Sequence, residues 1–114
     1  MLKYICSIIL VQSSLDFQNQ DLQKHNFSCQ NLQSAKFNHA NLKGADFTCS
    51  KADHANFSEA ILDEADLSYG NFQYALFEKA SLINIKVKEA DFRHAEGLSI
   101  ETIANLKKGG AIFE

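Results

Sequence analysis

Large apolar residues return at every fifth position between Leu15 and His94, and only Ala52 interrupts the series. A second series of mostly small residues lies two positions before each large one, so a unit reads small, polar, large, polar, polar. Residues two apart on an extended segment point to the same side, so both series face inward and the remaining polar residues turn the chain. An amphipathic helix would need spacings of three and four. The pattern predicts a coil of short extended segments joined by corners.

The number of units in each turn follows from the interval at which like residues come into register. At twenty residues phenylalanines align with phenylalanines and leucines with leucines, whereas intervals of ten and fifteen mix the two. Four units per turn are therefore predicted, and sixteen units make four coils. The predicted structural core consists of Phe17, Leu22, Phe37, Leu42, Phe57, Leu62, Phe77 and Leu82.

Two local features refine this pattern. Asn or Asp precedes the large residue in ten units, and such side chains readily bond nearby backbone groups. Ala52 is smaller than its neighbours along the series and lies one coil from Phe72. We expect either a void beside Ala52 or an inward displacement of the Phe72 ring.

The runs A-N-L-K-G-A-D-F-T-C from Ala40 and A-D-L-S-Y-G-N-F from Ala65 resemble the pentapeptide repeat family, whose motif is A-(D/N)-L-x-x. The resemblance implies an all-β fold, a right-handed quadrilateral β-helix with the large and the small residues both inside. The right-handedness comes from this resemblance alone. Family members that protect DNA gyrase dimerise through their carboxyl-terminal region. A homodimer through that segment is therefore one implication of the resemblance.

The pattern divides the chain into three segments. Residues 1–14 contain an apolar run and form either a strand that caps the open end of the coil or a short signal peptide, too short to span a bilayer. Residues 15–95 are the β-helix. Residues 96–114 form a capping helix and tail.

The carboxyl-terminal segment carries the signals of a short α-helix. Ser99 is a suitable N-cap, Lys108 lies in the last turn, and Gly109 suits the left-handed conformation that ends a helix. The tail, residues 111–113, either packs alongside the coil or reaches a partner. The apolar side that we expect to close the last coil comprises Ile100, Ile103, Ala104 and Leu106.

Composition limits the function. The net charge of −3 arises from 11 basic and 14 acidic side chains spread along the chain, so no basic stripe for nucleic acid is present. Three cysteines without metal-ligand spacing favour a reducing compartment, the cytoplasm, with an exported or lumenal location as the alternative if residues 1–13 are a signal peptide. We expect no cofactor, no metal and no membrane association.

Candidate chemical groups are scattered. His25 lies at an inward position, His54 and His94 lie two coils apart on one face, and Tyr69 and Tyr74 occupy adjacent corners. The carboxylates lie on a convex exterior, where a desolvated acid and base pair is hard to build, and no catalytic motif occurs. We therefore predict a protein that is not an enzyme.

Two of the cysteines fall in register along the repeat. Cys29 and Cys49 are twenty residues apart, which places them on one corner in successive coils. Either they are two stacked thiols or they form a disulfide, which the separation of the Cα atoms tolerates.

Three apolar residues break the polar exterior and form the predicted partner patch. Ile61 and Leu76 occupy positions that usually hold Asn or Asp, and Ile83 takes an outward position beside Ile61 on the next coil. We predict a non-catalytic protein-interaction module whose partner is an unknown protein. The alternative is a DNA mimic that binds a type II topoisomerase, DNA gyrase, as the quinolone-resistance members of the family do.

Overall fold

Square coils form the body of the computed structural model, which describes residues 15–114. The predicted cap strand or signal peptide lies outside these residues. Successive coils are joined by single-residue parallel bridges between positions twenty apart, so each coil has four sides, as the register predicts. We number the sides 1 to 4 in chain order, and their first bridges begin at Asp16, Asp21, Asn26 and Asn31.

Each corner of the coil contains a residue in the left-handed conformation. Fifteen of these corner residues are not glycine, and Gly44 occupies one more corner. At a representative corner Glu59 has φ of 58°, its N–H donates to the Glu78 carbonyl of the next coil at 2.8 Å, and the Ala60 N–H closes the turn onto Phe57 at 3.0 Å. Left-handed backbone costs about 1–2 kcal/mol per residue, so the inter-coil hydrogen bonds must offset this strain.

Asn and Asp side chains brace the corners, as the sequence pattern predicts. All ten accept a hydrogen bond from the backbone N–H two residues ahead. At Asp46, for example, the carboxylate accepts from the Thr48 N–H at 2.9 Å and from the Thr48 hydroxyl at 2.7 Å. This bond satisfies a donor that the corner would otherwise leave unpaired.

Phenylalanine rings stacked one coil apart run along the interior. Five of the eight predicted core residues are at most 1% exposed, namely Phe37, Leu42, Phe57, Leu62 and Phe77. The rings of Phe37 and Phe57 stack at 5.0 Å and those of Phe57 and Phe77 at 5.2 Å. The other three pack against this core but are only partly buried because they lie in the first and last described coils: Phe17, Leu22 and Leu82.

The ring of Phe72, one coil above Ala52, lies near the aromatic rings of the coil below and of its own coil. The ring centroid lies 6.5 Å from that of Phe47 in the coil below and 6.0 Å from that of Phe57. A Cβ added at Gly70 would lie 2.6 Å from the Phe72 ring. Gly70 therefore leaves the room that this ring fills.

The helix α1 spans Ile100–Lys108, with Ser99 as its N-cap accepting the Thr102 N–H at 3.1 Å. The helix ends at Lys108, as the two following glycines predict, but the left-handed conformation is taken by Gly110 at φ of 99° and not by Gly109, whose φ is −79°. The N–H of Gly109 still pairs with carbonyls inside the helix, so the chain turns one residue later. Within residues 15–114, no helix has the length and apolar character that a membrane span requires.

The predicted apolar side of α1 is only partly correct. Leu106 is buried and Ile103 is half-buried, but Ile100 is 89% exposed and Ala104 is also exposed. Ile100 and Ala104 therefore do not pack against the coil.

The carboxyl-terminal tail packs alongside the last coil, which was one of its two predicted placements. Ile112 bridges Asp91 on side 4, and the Phe113 ring stacks on Phe92 at 5.6 Å. The tail thus covers side 4 and extends the phenylalanine stack by one ring.

Candidate partner-binding groove

At the carboxyl-terminal end of the coil, backbone bridges continue two of the four sides and not the other two. On side 1 Leu76 bridges Glu96, and on side 4 Asp91 bridges Ile112. On sides 2 and 3 the ladders end at Ser81 and Lys86, since neither has a bridge partner further along the described chain. One corner of the last coil thus presents an unpaired backbone edge.

Backbone hydrogen bonding shows this edge directly. The N–H groups of Leu62 and Leu67 donate to carbonyls of the coil above at 2.8 and 2.7 Å. The equivalent groups one coil later, on Leu82 and Val87, donate to no acceptor among residues 15–114. An unpaired edge of this kind is a template for another extended segment.

Helix α1 crosses the end of the coil and its last residues cover side 3, where Val87 is 2% exposed and the Glu89 N–H donates to the Gly110 carbonyl at 2.9 Å. Leu82 and Ile83 on side 2 are left more accessible. Before the helix, a Cβ added at Gly97 would lie 2.6 Å from the backbone nitrogen of Glu78. After it, a Cβ added at Gly109 would lie 3.0 Å from a methyl group of Val87. The two glycines thus permit close contact with opposite parts of the last coil, and a groove of about 670 Å³ lies between the helix and the open corner.

The groove is lined mainly by apolar side chains. Leu82 and Ile85 come from the coil and Leu98 from the segment before α1, and all three are only partly buried. Ile83 is 62% exposed at the rim. Lys79 is the one charged residue among those that line the groove, and no carboxylate, imidazole or thiol lines it.

Asp63 in the coil below fixes the rim of the groove. Its carboxylate accepts the Ile83 N–H at 3.1 Å and the Ser81 hydroxyl at 2.6 Å. Ser81 stands where most units carry Asn or Asp, so the bond across coils replaces the usual bond within the unit. These two hydrogen bonds to Asp63 fix the backbone position of Ile83 in the free protein.

The structure brings together only part of the predicted patch. Ile61 is 41% exposed and bridges Ser81, two residues before Ile83, so these two isoleucines lie on neighbouring coils. Leu76 is half-buried on side 1 and does not line the groove. The sequence interpretation did not assign Leu82 and Ile85 to a binding surface. The register carried a signal for it: the positions twenty residues beyond Ser81 and Lys86 lie in the helix, so no further coil can cover them.

Other candidate groups form a stack of rings rather than a reactive site. His54, Tyr74 and His94 lie on one corner with ring centroids 4.9 and 4.8 Å apart. Among residues 15–114, no three His, Cys, Asp or Glu side chains are grouped to hold a metal ion. His25, predicted to point inward, is exposed beside Phe27, because its imidazole lies in the first described coil.

A family model for pentapeptide repeats matches residues 13–48 and 40–77, which together make up more than half of the chain. The chain belongs to the pentapeptide repeat family. A crystal structure of a family member from the Arabidopsis thaliana thylakoid lumen is 30% identical with a TM-score of 0.52, and the match covers 87% of this chain and 77% of that chain. The four-sided coil described above is the architecture of this family, whose coils are right-handed.

Two further structures are similar in fold alone. A pentapeptide repeat protein from Nostoc PCC 7120 is 22% identical with a TM-score of 0.54, covering 100% of this chain and 96% of that chain. QnrB1, a plasmid-mediated fluoroquinolone resistance protein, is 18% identical with a TM-score of 0.40, covering 79% of this chain and 51% of that chain, a likeness too low to carry a functional argument. No curated protein matches the chain.

Proposed function

We propose that this pentapeptide repeat protein is a non-catalytic interaction module that receives an extended apolar segment of a partner protein in the carboxyl-terminal groove. The observation that carries the proposal is the unpaired N–H group of Leu82, a residue that is only partly buried, beside an apolar lining. The same lining lacks a carboxylate, an imidazole and a thiol, which supports a role in binding rather than catalysis.

The partner segment adds to the coil edge as a further extended strand. Main-chain hydrogen bonds in such complexes supply part of the affinity, while alternate side chains fill pockets and supply specificity. Side 2 ends in a single bridging residue, Ser81, so few main-chain bonds are available here. The apolar contacts with Leu82, Ile83 and Ile85 must therefore supply most of the affinity. A groove of about 670 Å³ accommodates a few side chains of such a segment.

Charge sets a further requirement on the partner. Lys79 lines the groove, and Lys107 and Lys108 are exposed in the last turn of α1. A segment with an acidic residue next to its apolar positions complements these side chains. Such exposed charges mainly raise the rate of association, so salt should slow binding more than it speeds release.

Site-specific photo-cross-linking tests this proposal. A photoreactive residue is placed at Ile83, and the matched control carries it at Lys43, which occupies the same kind of corner position two coils below. We expect Ile83 to capture a segment from extracts of the native source that Lys43 does not. The segment, made as a synthetic peptide, should bind the parent protein, and Ile83→Asp should weaken that binding. Equal capture at both positions, or equal binding by Ile83→Asp, would contradict the proposal.

A second candidate function, mimicry of duplex DNA, is favoured by one observation. Residues 15–75 contain eight acidic and four basic side chains, so the first three coils carry most of the negative charge. Four coils stacked about 4.8 Å apart nevertheless span only about 20 Å, whereas one turn of DNA rises about 34 Å. The short rod and the balanced charge of the remaining residues favour the interaction module.

A further inference from the structure

Two cysteines share one corner of successive coils near the amino-terminal end of the described chain. Cys29 and Cys49 have φ of 56° and 59°, so their backbones have the same left-handed conformation. Their N–H groups donate in the same way to the coil above, Cys29 to Thr48 at 2.9 Å and Cys49 to Ser68 at 3.0 Å. Both residues are exposed. The two side chains therefore leave the coil in parallel, one above the other.

The two thiols influence each other. Desolvation raises the pKa of the Cys49 thiol, and the neighbouring Cys29 thiol raises it further by charge repulsion and by hydrogen bonding. Asp46 contributes in the same direction.

The spacing of the ladder suits a metal ion better than a disulfide. Parallel side chains in register are held about 4.8 Å apart, whereas a disulfide needs a Cβ to Cβ distance of roughly 3.5–4.5 Å. Two sulfurs on opposite sides of one metal ion lie about 4.6 Å apart, twice a metal–thiolate bond of about 2.3 Å. The backbone spacing of the coil is thus close to the sulfur separation that a two-coordinate ion requires.

We propose that Cys29 and Cys49 form a two-thiolate binding site for the soft ion Cu(I). On binding, one copper–sulfur bond forms to each cysteine and each thiol releases its proton to solvent, with no change of oxidation state. Soft thiolate ligands suit Cu(I). Structural zinc is also bound by thiolates but requires four ligands, and only two are available here. The next side chain on this corner is Tyr69, and no third His, Cys, Asp or Glu joins the pair to make a metal-holding group within residues 15–114.

An anaerobic Cu(I) titration against a chromophoric Cu(I) chelator tests the site. All variants carry Cys6→Ser, so that Cys29 and Cys49 are the only cysteines. We expect the parent to bind one Cu(I) per chain, and Cys29→Ser or Cys49→Ser to weaken binding by more than the roughly 100-fold that an outer-shell change can cost. Zn(II) should bind far more weakly than Cu(I).

A matched control keeps two thiols but removes them from the shared corner. In Cys29→Ser combined with Ser34→Cys, the thiols at positions 34 and 49 lie on different corners, and Ser34 already has the same left-handed backbone at φ of 61°. We expect this variant to bind Cu(I) as weakly as a single-cysteine variant. Binding as tight as that of the parent would overturn the proposal. An X-ray absorption spectrum of the parent with more than two sulfur neighbours, or copper-dependent dimers, would overturn it as well.

Discussion

Replacing Gly70 by alanine tests how the core accommodates the small residue at position 52. The backbone of Gly70 is not left-handed, so alanine is compatible with it, and the loss of glycine alone should stabilise by about 0.4–1 kcal/mol. The new Cβ, however, would lie 2.6 Å from the Phe72 ring and 3.2 Å from the Leu67 carbonyl oxygen. Overpacking of this kind costs about 1–3 kcal/mol. We expect Gly70→Ala to lower the free energy of unfolding by about 0.5–2 kcal/mol.

A second substitution separates this clash from other effects. Phe72→Leu removes the ring that the new Cβ would meet, and on its own it should cost about 1–2 kcal/mol through lost burial beside Ala52. In the double variant the clash is absent, so the two costs should not add. We expect the double variant to be more stable than the sum of the single effects by about 1 kcal/mol or more.

Urea unfolding followed by circular dichroism measures this coupling. The midpoint and slope give the free energy of unfolding for the parent, each single variant and the double variant, provided that the slope is unchanged. Ala90→Gly is the matched control, because residue 90 lies on the same column one coil above, where a Cβ is already buried. If the losses in unfolding free energy of the two single variants sum to that of the double variant to within about 0.5 kcal/mol, the proposed placement of the Phe72 ring is refuted.

Three other outcomes follow from the structure. Ser50 is 1% exposed, and its hydroxyl has no hydrogen-bond partner among the described residues, so Ser50→Ala should raise the free energy of unfolding by about 1 kcal/mol in the same urea assay; a loss of stability would contradict this. The Arg93 side chain, which donates to the carboxylate at 2.7 Å, lowers the pKa of Asp91, so the stability that Asp91 contributes is present above the unfolded pKa and is lost as pH falls through the lower folded value. Urea unfolding below pH 4 should therefore be less pH-dependent in Asp91→Asn than in the parent, and equal slopes would argue against the ion pair. Finally, micromolar protein should neither inhibit DNA gyrase nor protect it from a quinolone in a supercoiling assay; protection would favour the DNA mimic over the interaction module.

The repeating part of the fold could be predicted from the sequence because the period of five is local. Each unit contains its own inward residues and its own bracing Asn or Asp, so the register alone placed Phe37 above Phe17 and below Phe57. The same register put Cys29 next to Cys49. The same interval of twenty residues places His54, Tyr74 and His94 on one corner.

The end of the coil could not be predicted in this way, because no period continues through it. Apolar residues occur on more than one side of α1, and the sequence does not say which side meets the coil. The predicted packing of Ile100 against the last coil is therefore wrong, whereas the predicted burial of Leu106 is confirmed. The groove depends on the path of α1 between Gly97 and Gly109, which is set by tertiary contacts with Glu78 and Val87.

Amide hydrogen exchange, measured residue by residue by NMR, tests the central claim most directly. Leu82 reports on the open edge, and Leu62 is the internal reference, because it occupies the equivalent position one coil earlier and is hydrogen-bonded. We expect Leu82 to exchange much faster than Leu62 in the free protein and to become protected when the partner segment binds. Protection of Leu82 equal to that of Leu62 in the free protein would contradict an open, partner-binding edge.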